Sequence, residues 1–259
     1  MTFYRLLIKN IDHPEVSVYS ENTEQETAMK FLKTKWRNLM MANYEVDEKF
    51  LDSYIPSGCE LDLYKGRALV SVVAFEFSDT SLCGIPMPFY RNFPEINLRI
   101  YVKRIVAGEW RRGVVFIKEI IPHRFPAWIA RTVFRENFHV MPVSIEMTDH
   151  HINYNWGEGN VLAGKLGNEL KDWQEGTEEK FIGDNFWAFK KVDEQKTLEF
   201  KVTHQPWKMR FVKDIEVSFD FATLYGKEFA TAIEENGGKP TSVFYVDGSQ
   251  VEVTIPRKV

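Results

Sequence analysis

The clearest pattern of hydrophobic and polar positions lies between residues 93 and 102. Four polar residues alternate there with four apolar ones, in the order Glu95, Ile96, Asn97, Leu98, Arg99, Ile100, Tyr101 and Val102. A period of two is typical of a strand whose two faces differ, so we predict a strand with one apolar and one polar face. The polar face meets water in most such strands. The carboxylate, amide, guanidinium and phenol side chains on this face would also be suitable for the polar interior of a barrel.

Further patterns predict about ten strands interleaved with short helices. We predict helices over residues 23–35, from Pro126 to Arg135, over residues 177–191 and from Asp220 to Glu235. The polar first 25 residues are interpreted as an N-terminal arm of a single domain, residues 1–259. Enough strands are present for a closed or nearly closed barrel, which also removes exposed edges. The predicted fold class is α+β, mainly β, with a β-barrel or sheet core and short peripheral helices.

Composition excludes several classes of function. The net charge is -4, the pI is about 5.9 and no basic tail is present, which disfavours nucleic-acid binding. No apolar run approaches the roughly 20 residues needed to cross a bilayer, so we expect no membrane partner. The two cysteines, Cys59 and Cys83, are isolated and suit a reducing cytoplasm. No set of ligands has zinc spacing and no nucleotide motif is present, so we expect no metal and no cofactor.

A series of short motifs resembles a known family. The motifs are WRNL from Trp36, NYEV from Asn43, IPSG from Ile55, VSVVAF from Val70, PEINLRIYV from Pro94, RGVVF from Arg112, AR from Ala130 and VTHQPW from Val202. Their order, from about Lys35 to Phe219, resembles the YqjF-like DUF2071 family of bacterial proteins, which is similar to the acetoacetate decarboxylase superfamily. The resemblance implies an acetoacetate-decarboxylase-like core around a central pocket. It also implies the superfamily's chemistry, a lysine Schiff base acting on small oxo acids.

The sequence departs from that chemistry at the decisive place. The decarboxylases carry a pair of lysines soon after an arginine-bearing segment, which corresponds here to Ala130-Arg131. No lysine occurs between Lys118 and Lys165. Schiff-base catalysis needs an amine that is neutral near pH 7, and arginine or histidine does not replace it. We therefore predict that the decarboxylase lysine is absent.

The leading hypothesis is a pocket that binds a small anionic metabolite, such as a carboxylate or oxo acid. Arg99 would bind its carboxylate and Glu95 would act as a base or an orienting group. The other candidate ligand-binding residues are Asn97, Tyr101, Arg131, His204 and Trp207. Each also has a structural interpretation. Glu95, Asn97 and Arg99 could lie on a solvent-exposed strand face, and Arg131 on the surface of a helix. His204 could be a core histidine, and Trp207 could serve packing alone.

Two alternatives stay open at this point. The first is a lyase or hydrolase acting on a small oxo acid, with Lys118 or a Glu95/His204 acid–base pair as its catalytic residues. Strict alternation places Lys118 on one face with Val114 and Phe116, where its ammonium would either reach water or have a shifted pKa. The second is a non-catalytic interaction module whose barrel is filled by aromatic rings. The sequence is compatible with a homo-oligomer and leaves catalysis undecided.

Overall fold

The computed structural model describes residues 30–259, which form one connected sheet with short helices around it. The strands are β1 (Lys30–Val46), β2 (Glu60–Leu61), β3 (Ala68–Leu82), β4 (Ile85–Pro86), β5 (Phe93–Val106), β6 (Glu109–Ile121), β7 (Phe138–Val140), β8 (Val143–Thr148), β9 (His151–Trp156), β10 (Asn160–Leu166), β11 (Lys171–Asp172), β12 (Trp187–Lys191), β13 (Thr197–His204), β14 (Lys208–Ser218), β15 (Ser242–Thr254) and β16 (Arg257–Lys258). The helices are a 3₁₀ helix (Glu48–Tyr54), α1 (Arg124–Val133), α2 (Glu178–Gly183), α3 (Phe221–Tyr225) and α4 (Lys227–Glu235). The predicted fold class, α+β and mainly β with short peripheral helices, is confirmed.

Seven of these strands close into a ring, called here the strand ring. Its order is β1, β3, β5, β6, β12, β13 and β15, and β15 pairs with β1 again. All neighbours are antiparallel except β6 and β12, which run parallel where Trp187 lies opposite Gly113. A Cβ atom at Gly113 would overlap the carbonyl oxygen of Trp187. The ring therefore closes at a point where only glycine allows the two backbones to approach.

The strand ring has an apolar layer on each side. The inner layer includes Phe75, Phe116 and Phe200, and the outer layer includes Val72 and Leu98. Beyond β15 the sheet continues through β14, β10, β9 and β8, and β8 comes back to contact β5. Because side chains alternate along a strand, covering the outer side leaves the polar residues of β5 facing the interior of the ring.

Three predicted helices differ from the structure. The helix predicted from Asp220 to Glu235 is divided into α3 and α4 at Gly226, whose φ of 102° does not fit a helix. Residues 30–35 belong to β1, while residues 23–29 lie outside the described part of the chain. β1 pairs with β15 from Lys30 and with β3 from Leu32, so pairing with two distant strands overrides the local helix pattern of residues 30–35. The helix predicted over residues 177–191 ends at Gly183, and Trp187–Lys191 forms β12. Phe181, Asn185 and Phe189 are spaced four residues apart, which is typical of a helix, but pairing of β12 with β6 and β13 overrides that pattern.

The predicted N-terminal arm, residues 1–25, lies outside the described residues, and the single-domain organisation stays a prediction. Within residues 30–259, no helix is both long enough and apolar enough to span a membrane.

Candidate functional site

The interior of the strand ring contains a cavity of about 110 Å³. Its wall is mostly apolar and aromatic, and its polar members are Thr80, Glu95, Asn97, Glu119 and Glu136. For comparison, an engineered apolar cavity of about 150 Å³ holds benzene. The cavity therefore suits a ligand of that size or smaller, placed against three carboxyl groups.

Three separate parts of the chain supply the carboxyl groups. Glu95 and Asn97 point inward from β5, and Asn97 lies opposite Glu119 of β6. The Asn97 Nδ2 atom donates a hydrogen bond to Glu95 Oε1 at 3.2 Å. Glu136 lies between α1 and β7, and its Oε2 is 3.1 Å from Lys190 Nζ on β12. We call Glu95, Glu119 and Glu136 the carboxyl cluster.

A β-bulge decides which residues of β6 face the cavity. Arg99 pairs with Phe116 while the preceding Leu98 pairs with Lys118, so Ile117 is the extra residue. Phe116 and Glu119 consequently both line the cavity. The expectation that Lys118 shares a face with Val114 and Phe116 was wrong, because the bulge interrupts the alternation.

Lys118 lies on the outer side of the strand ring. Its Nζ donates to the carbonyl oxygen of Leu224 and lies 5.8 Å from the ring centroid of Tyr225. Burial lowers the pKa of Lys118. No lysine belongs to the cavity wall formed by residues 30–259.

Burial raises the pKa of all three members of the carboxyl cluster. It raises the pKa of Glu95 to about 8, and the nearby Glu136 adds to the effect. Burial raises the pKa of Glu136 to about 7 against the opposing charge of Lys190. The pKa of Glu119 lies well above its ordinary value because of burial and then of its two carboxyl neighbours. These groups can therefore hold and exchange protons at the cavity wall at physiological pH.

Several polar atoms of the wall have no hydrogen-bond partner among the described residues. The oxygens without a partner are Glu95 Oε2, Asn97 Oδ1, Glu119 Oε2 and Glu136 Oε1, whereas Glu136 Oε2 has its ion pair with Lys190. The indole Nε1 of Trp36, which also lines the cavity, is an unpaired donor. Buried polar groups left unpaired cost free energy, so they mark positions where a ligand can be bound. Within residues 30–259, no group of three or more His, Cys, Asp or Glu side chains could hold a metal ion.

Arg99 and Tyr101 share the inner face of β5 but lie outside the cavity wall. Arg99 Nη2 donates to the carbonyl oxygen of Ile182 in α2 at 3.2 Å, and Arg99 Nε is buried without a partner. The guanidinium carbon lies 5.5 Å from the ring centroid of Tyr101, whose hydroxyl is 2.6 Å from Ser71 Oγ. The N-terminal part of β5 thus presents the carboxyl group of Glu95 to the cavity, and the Arg99 guanidinium faces α2.

The remaining predicted residues make structural contacts. Arg131 donates from Nε to the carbonyl oxygen of Phe138 at 2.8 Å, which ties β7 to α1 on either side of Glu136. The ring of His204 stacks on Trp207 with centroids 4.1 Å apart, and burial lowers the pKa of His204. Trp207 Nε1 donates to Ser249 Oγ at 2.9 Å. None of Arg131, His204 and Trp207 belongs to the cavity wall, so Glu95 and His204 are not brought together there.

Sequence reasoning did not select Glu119, Glu136 or Lys190 as site residues. The available signal for Glu119 was a carboxylate beside Lys118 in the mostly apolar run from Gly113 to Ile121. Glu136 and Lys190 gave no such signal, because their roles depend on contacts between distant parts of the chain.

An apolar surface groove adjoins the cavity. It is lined by residues 85–90 together with Leu82, Phe125 and Ile129. Leu82, Met87 and Ile129 belong to the walls of both the groove and the cavity. The Phe89 side chain in this groove is almost fully exposed. The shared residues show that the cavity and the surface groove lie side by side.

Solved structures with the same fold are acetoacetate decarboxylases and related enzymes. The chain is similar to acetoacetate decarboxylase from Legionella pneumophila, with a TM-score of 0.61 and 13% identity over 98% of this chain and 95% of that one. It is also similar to the enduracididine biosynthesis enzyme MppR complexed with pyruvate, with a TM-score of 0.58 and 11% identity over 92% of this chain and 94% of that one. An acetoacetate decarboxylase-like enzyme from Sphingomonas wittichii RW1 gives a TM-score of 0.58 and 11% identity, covering 89% of this chain and 93% of that one. At these identities the likeness shows the fold alone.

Sequence comparison gives the family. The chain is 30% identical to the "Uncharacterized protein YqjF" of Bacillus subtilis (strain 168) over 124 residues, which are 48% of this chain and 50% of that protein. The match thus spans half the length of this curated relative. Residues 33–250 match the DUF2071 family, described as "Uncharacterized conserved protein". These residues include the whole carboxyl cluster, and the chain belongs to the DUF2071 family.

Proposed function

We propose that the protein binds a small, largely apolar molecule inside the strand ring, with the polar group of the ligand at the carboxyl cluster. The observation that carries this proposal is the placement of three buried carboxyl groups around one apolar cavity. Burying carboxyl groups is costly unless something compensates for it. Lys190 provides an ion pair for Glu136 alone, and a ligand would supply partners for the other two.

The shared fold supports small-molecule binding in general. The structural neighbour MppR was solved in complex with pyruvate. The groove beside the cavity would serve as the entry route, because Leu82, Met87 and Ile129 lie in both walls. The isolated cysteines support a cytoplasmic protein as part of this proposal. Homo-oligomerisation stays a prediction.

The geometry favours binding over the two alternatives from the sequence. Lys118 faces the outer layer, so a Schiff base at Lys118 would form outside the cavity. An acid–base mechanism would use the carboxyl cluster itself rather than a Glu95/His204 pair. An interaction module predicts an interior filled by its own aromatic rings, whereas the strand ring retains a cavity.

A second candidate function is the binding of a small anion at Arg99. The observation that favours it is that Arg99 Nε is buried without a hydrogen-bond partner, while Arg99 Nη2 donates to the carbonyl oxygen of Ile182 in α2. A carboxylate could accept from both nitrogens. Such an anion would need α2 to move, because Ile182 already occupies one side of the guanidinium.

A thermal-shift screen with paired variants tests both candidates. Small amines, alcohols and carboxylates are added to the wild type, to Ala130→Phe and to Arg99→Met. Ala130 lines the cavity from α1 and is only partly buried, so a phenyl group there fills the cavity from its edge. A ligand at about a hundred times its dissociation constant stabilises by roughly 2.7 kcal/mol, a shift of a few degrees.

The proposal expects a shift in the wild type and in Arg99→Met that is lost in a folded Ala130→Phe. A shift that is lost in Arg99→Met and kept in Ala130→Phe would favour the anion site instead. Shifts that survive in both variants would place the ligand elsewhere and contradict both candidates.

A further inference from the structure

We infer that the ligand of the cavity carries a positively charged ammonium group on a short apolar body. The inference rests on the proposed function and adds the chemical class of the ligand. It follows from the charges, the unpaired atoms and the aromatic rings of the wall.

The first observation is the sign of the charged groups. Among residues 30–259, every ionisable side chain in the cavity wall is a carboxyl group of the cluster Glu95, Glu119 and Glu136. The adjoining Lys190 ammonium lies 3.1 Å from Glu136 Oε2 and is directed at that group. An anion in the cavity would therefore face Glu95 and Glu119 without a cation of its own, while an ammonium would be attracted by both.

The second observation is an excess of hydrogen-bond acceptors once the carboxyl groups are ionised, which is the state that a bound cation favours. Four buried oxygens of the wall have no donor, namely Glu95 Oε2, Asn97 Oδ1, Glu119 Oε2 and Glu136 Oε1, and their side chains are all more than nine-tenths buried. The opposing unpaired donor is the Trp36 indole. An ammonium group brings three donors and no acceptor, whereas a hydroxyl brings one donor and a carboxylate none. The ammonium is therefore the head group that satisfies most of the wall.

The third observation is the aromatic composition of the rest of the wall. Aromatic rings make up much of that wall, among them those of Trp36, Phe75, Phe116 and Phe200. Aromatic faces attract cations and also accept an apolar body. A volume of about 110 Å³ limits that body to a few carbon atoms.

Binding of an ammonium should release a proton. The titratable groups that face the head-group position are Glu95 on β5, Glu119 on β6, Glu136 beyond α1 and Lys190 on β12. Burial keeps the pKa of Glu95 near 8, so Glu95 carries a proton at pH 7, and burial also raises the pKa of Glu119 well above its ordinary value. An entering cation favours the ionised carboxylate and displaces such a proton. Affinity for an amine should therefore rise as the pH increases from 6 to 8.

Calorimetric titration with three matched probes tests the inference. Butylamine, 1-butanol and butyrate share one chain length and differ in the charge of the head group. Each is titrated into the full chain as wild type, Glu95→Gln, Glu119→Gln and Glu60→Gln. Glu60 is an exposed glutamate on β2 that pairs with Lys103 and serves as the control. Two buffers with different ionisation enthalpies reveal proton release.

We expect butylamine to bind at least about tenfold more tightly than 1-butanol or butyrate, the effect of one charged hydrogen bond. We expect either cavity variant that folds to lose about that factor for butylamine alone, and Glu60→Gln to bind like the wild type. Equal binding of butylamine and 1-butanol, or tighter binding of butyrate, would overturn the ammonium inference and leave the cavity proposal standing. The absence of binding by all three probes would count against both.

Discussion

Burial links the protonation of single glutamates to folding. The ordinary pKa of a glutamate is 4.5, and that of Glu95 in the folded protein is about 8. Between these values the folded state binds more protons than the unfolded state. The stabilising contribution of the protonated group is therefore fully present below about pH 4.5 and is lost as the pH rises through about 8.

We predict that Glu95→Gln flattens the pH dependence of stability. In the wild type, one such group lowers the free energy of unfolding by at most about 1.4 kcal/mol per pH unit between pH 5 and 8. The amide of the variant does not titrate, so its slope should be smaller by up to that amount. Urea unfolding at several pH values measures the slope, with Glu60→Gln as the exposed control. Equal slopes in wild type and Glu95→Gln would contradict this prediction, because they would show that the pKa of Glu95 is the same in the folded and unfolded states.

We predict that Lys118 forms no trapped adduct with oxo acids. A Schiff base needs a neutral amine placed beside the bound substrate. Lys118 lies on the outer side of the strand ring, where its ammonium donates to the Leu224 carbonyl. Borohydride reduction in the presence of pyruvate, followed by peptide mass spectrometry, checks this. An adduct at Lys118 that disappears in Ala130→Phe would show that this lysine does reach the cavity.

At the scale of elements, alternation predicted β5 but not β6. The period of two in β5 correctly placed Glu95 and Asn97 on one face, because that strand continues without interruption through both residues. The bulge at Ile117 shifts β6 by one residue, and one residue reverses which side chains face inward. A bulge depends on the partner strand, so the sequence of β6 alone did not reveal that Glu119 faces the cavity.

The parallel contact between β6 and β12 makes Gly113 a requirement of the fold. A methyl group at Gly113 would overlap the Trp187 carbonyl oxygen, whereas one at Gly167 would lie 3.3 Å from its nearest atom, the carbonyl oxygen of Phe211. We predict that Gly113→Ala lowers the free energy of unfolding by about 1–3 kcal/mol, the usual cost of overpacking. Gly167→Ala should cost clearly less. Chemical denaturation compares the two variants, and equal losses would mean that β12 can move away from β6 without cost.

At the scale of the whole molecule, closure of the strand ring creates the site. β5, β6 and the segment after α1 each bring one glutamate, and β12 brings Lys190 to the same place. The order of motifs along the chain was enough to predict the fold class, since it resembles a family spread over most of the sequence. Of the carboxyl cluster, the sequence predicted Glu95 alone, because Glu119 and Glu136 approach Glu95 through pairings that no local pattern encodes.

The central claim is that the buried carboxyl cluster binds a small ligand inside the strand ring. The most direct measurement is a carbon-13 NMR titration of the glutamate side-chain carboxyl groups, with and without butylamine, assigned with the Gln variants at positions 95, 119 and 136. We predict signals from the cluster that titrate well above the ordinary value of 4.5, with Glu95 near 8 and Glu136 near 7, and that move when the ligand is added. Glutamates that all titrate near 4.5, and that do not respond to butylamine or to any ligand from the thermal-shift screen, would contradict the account.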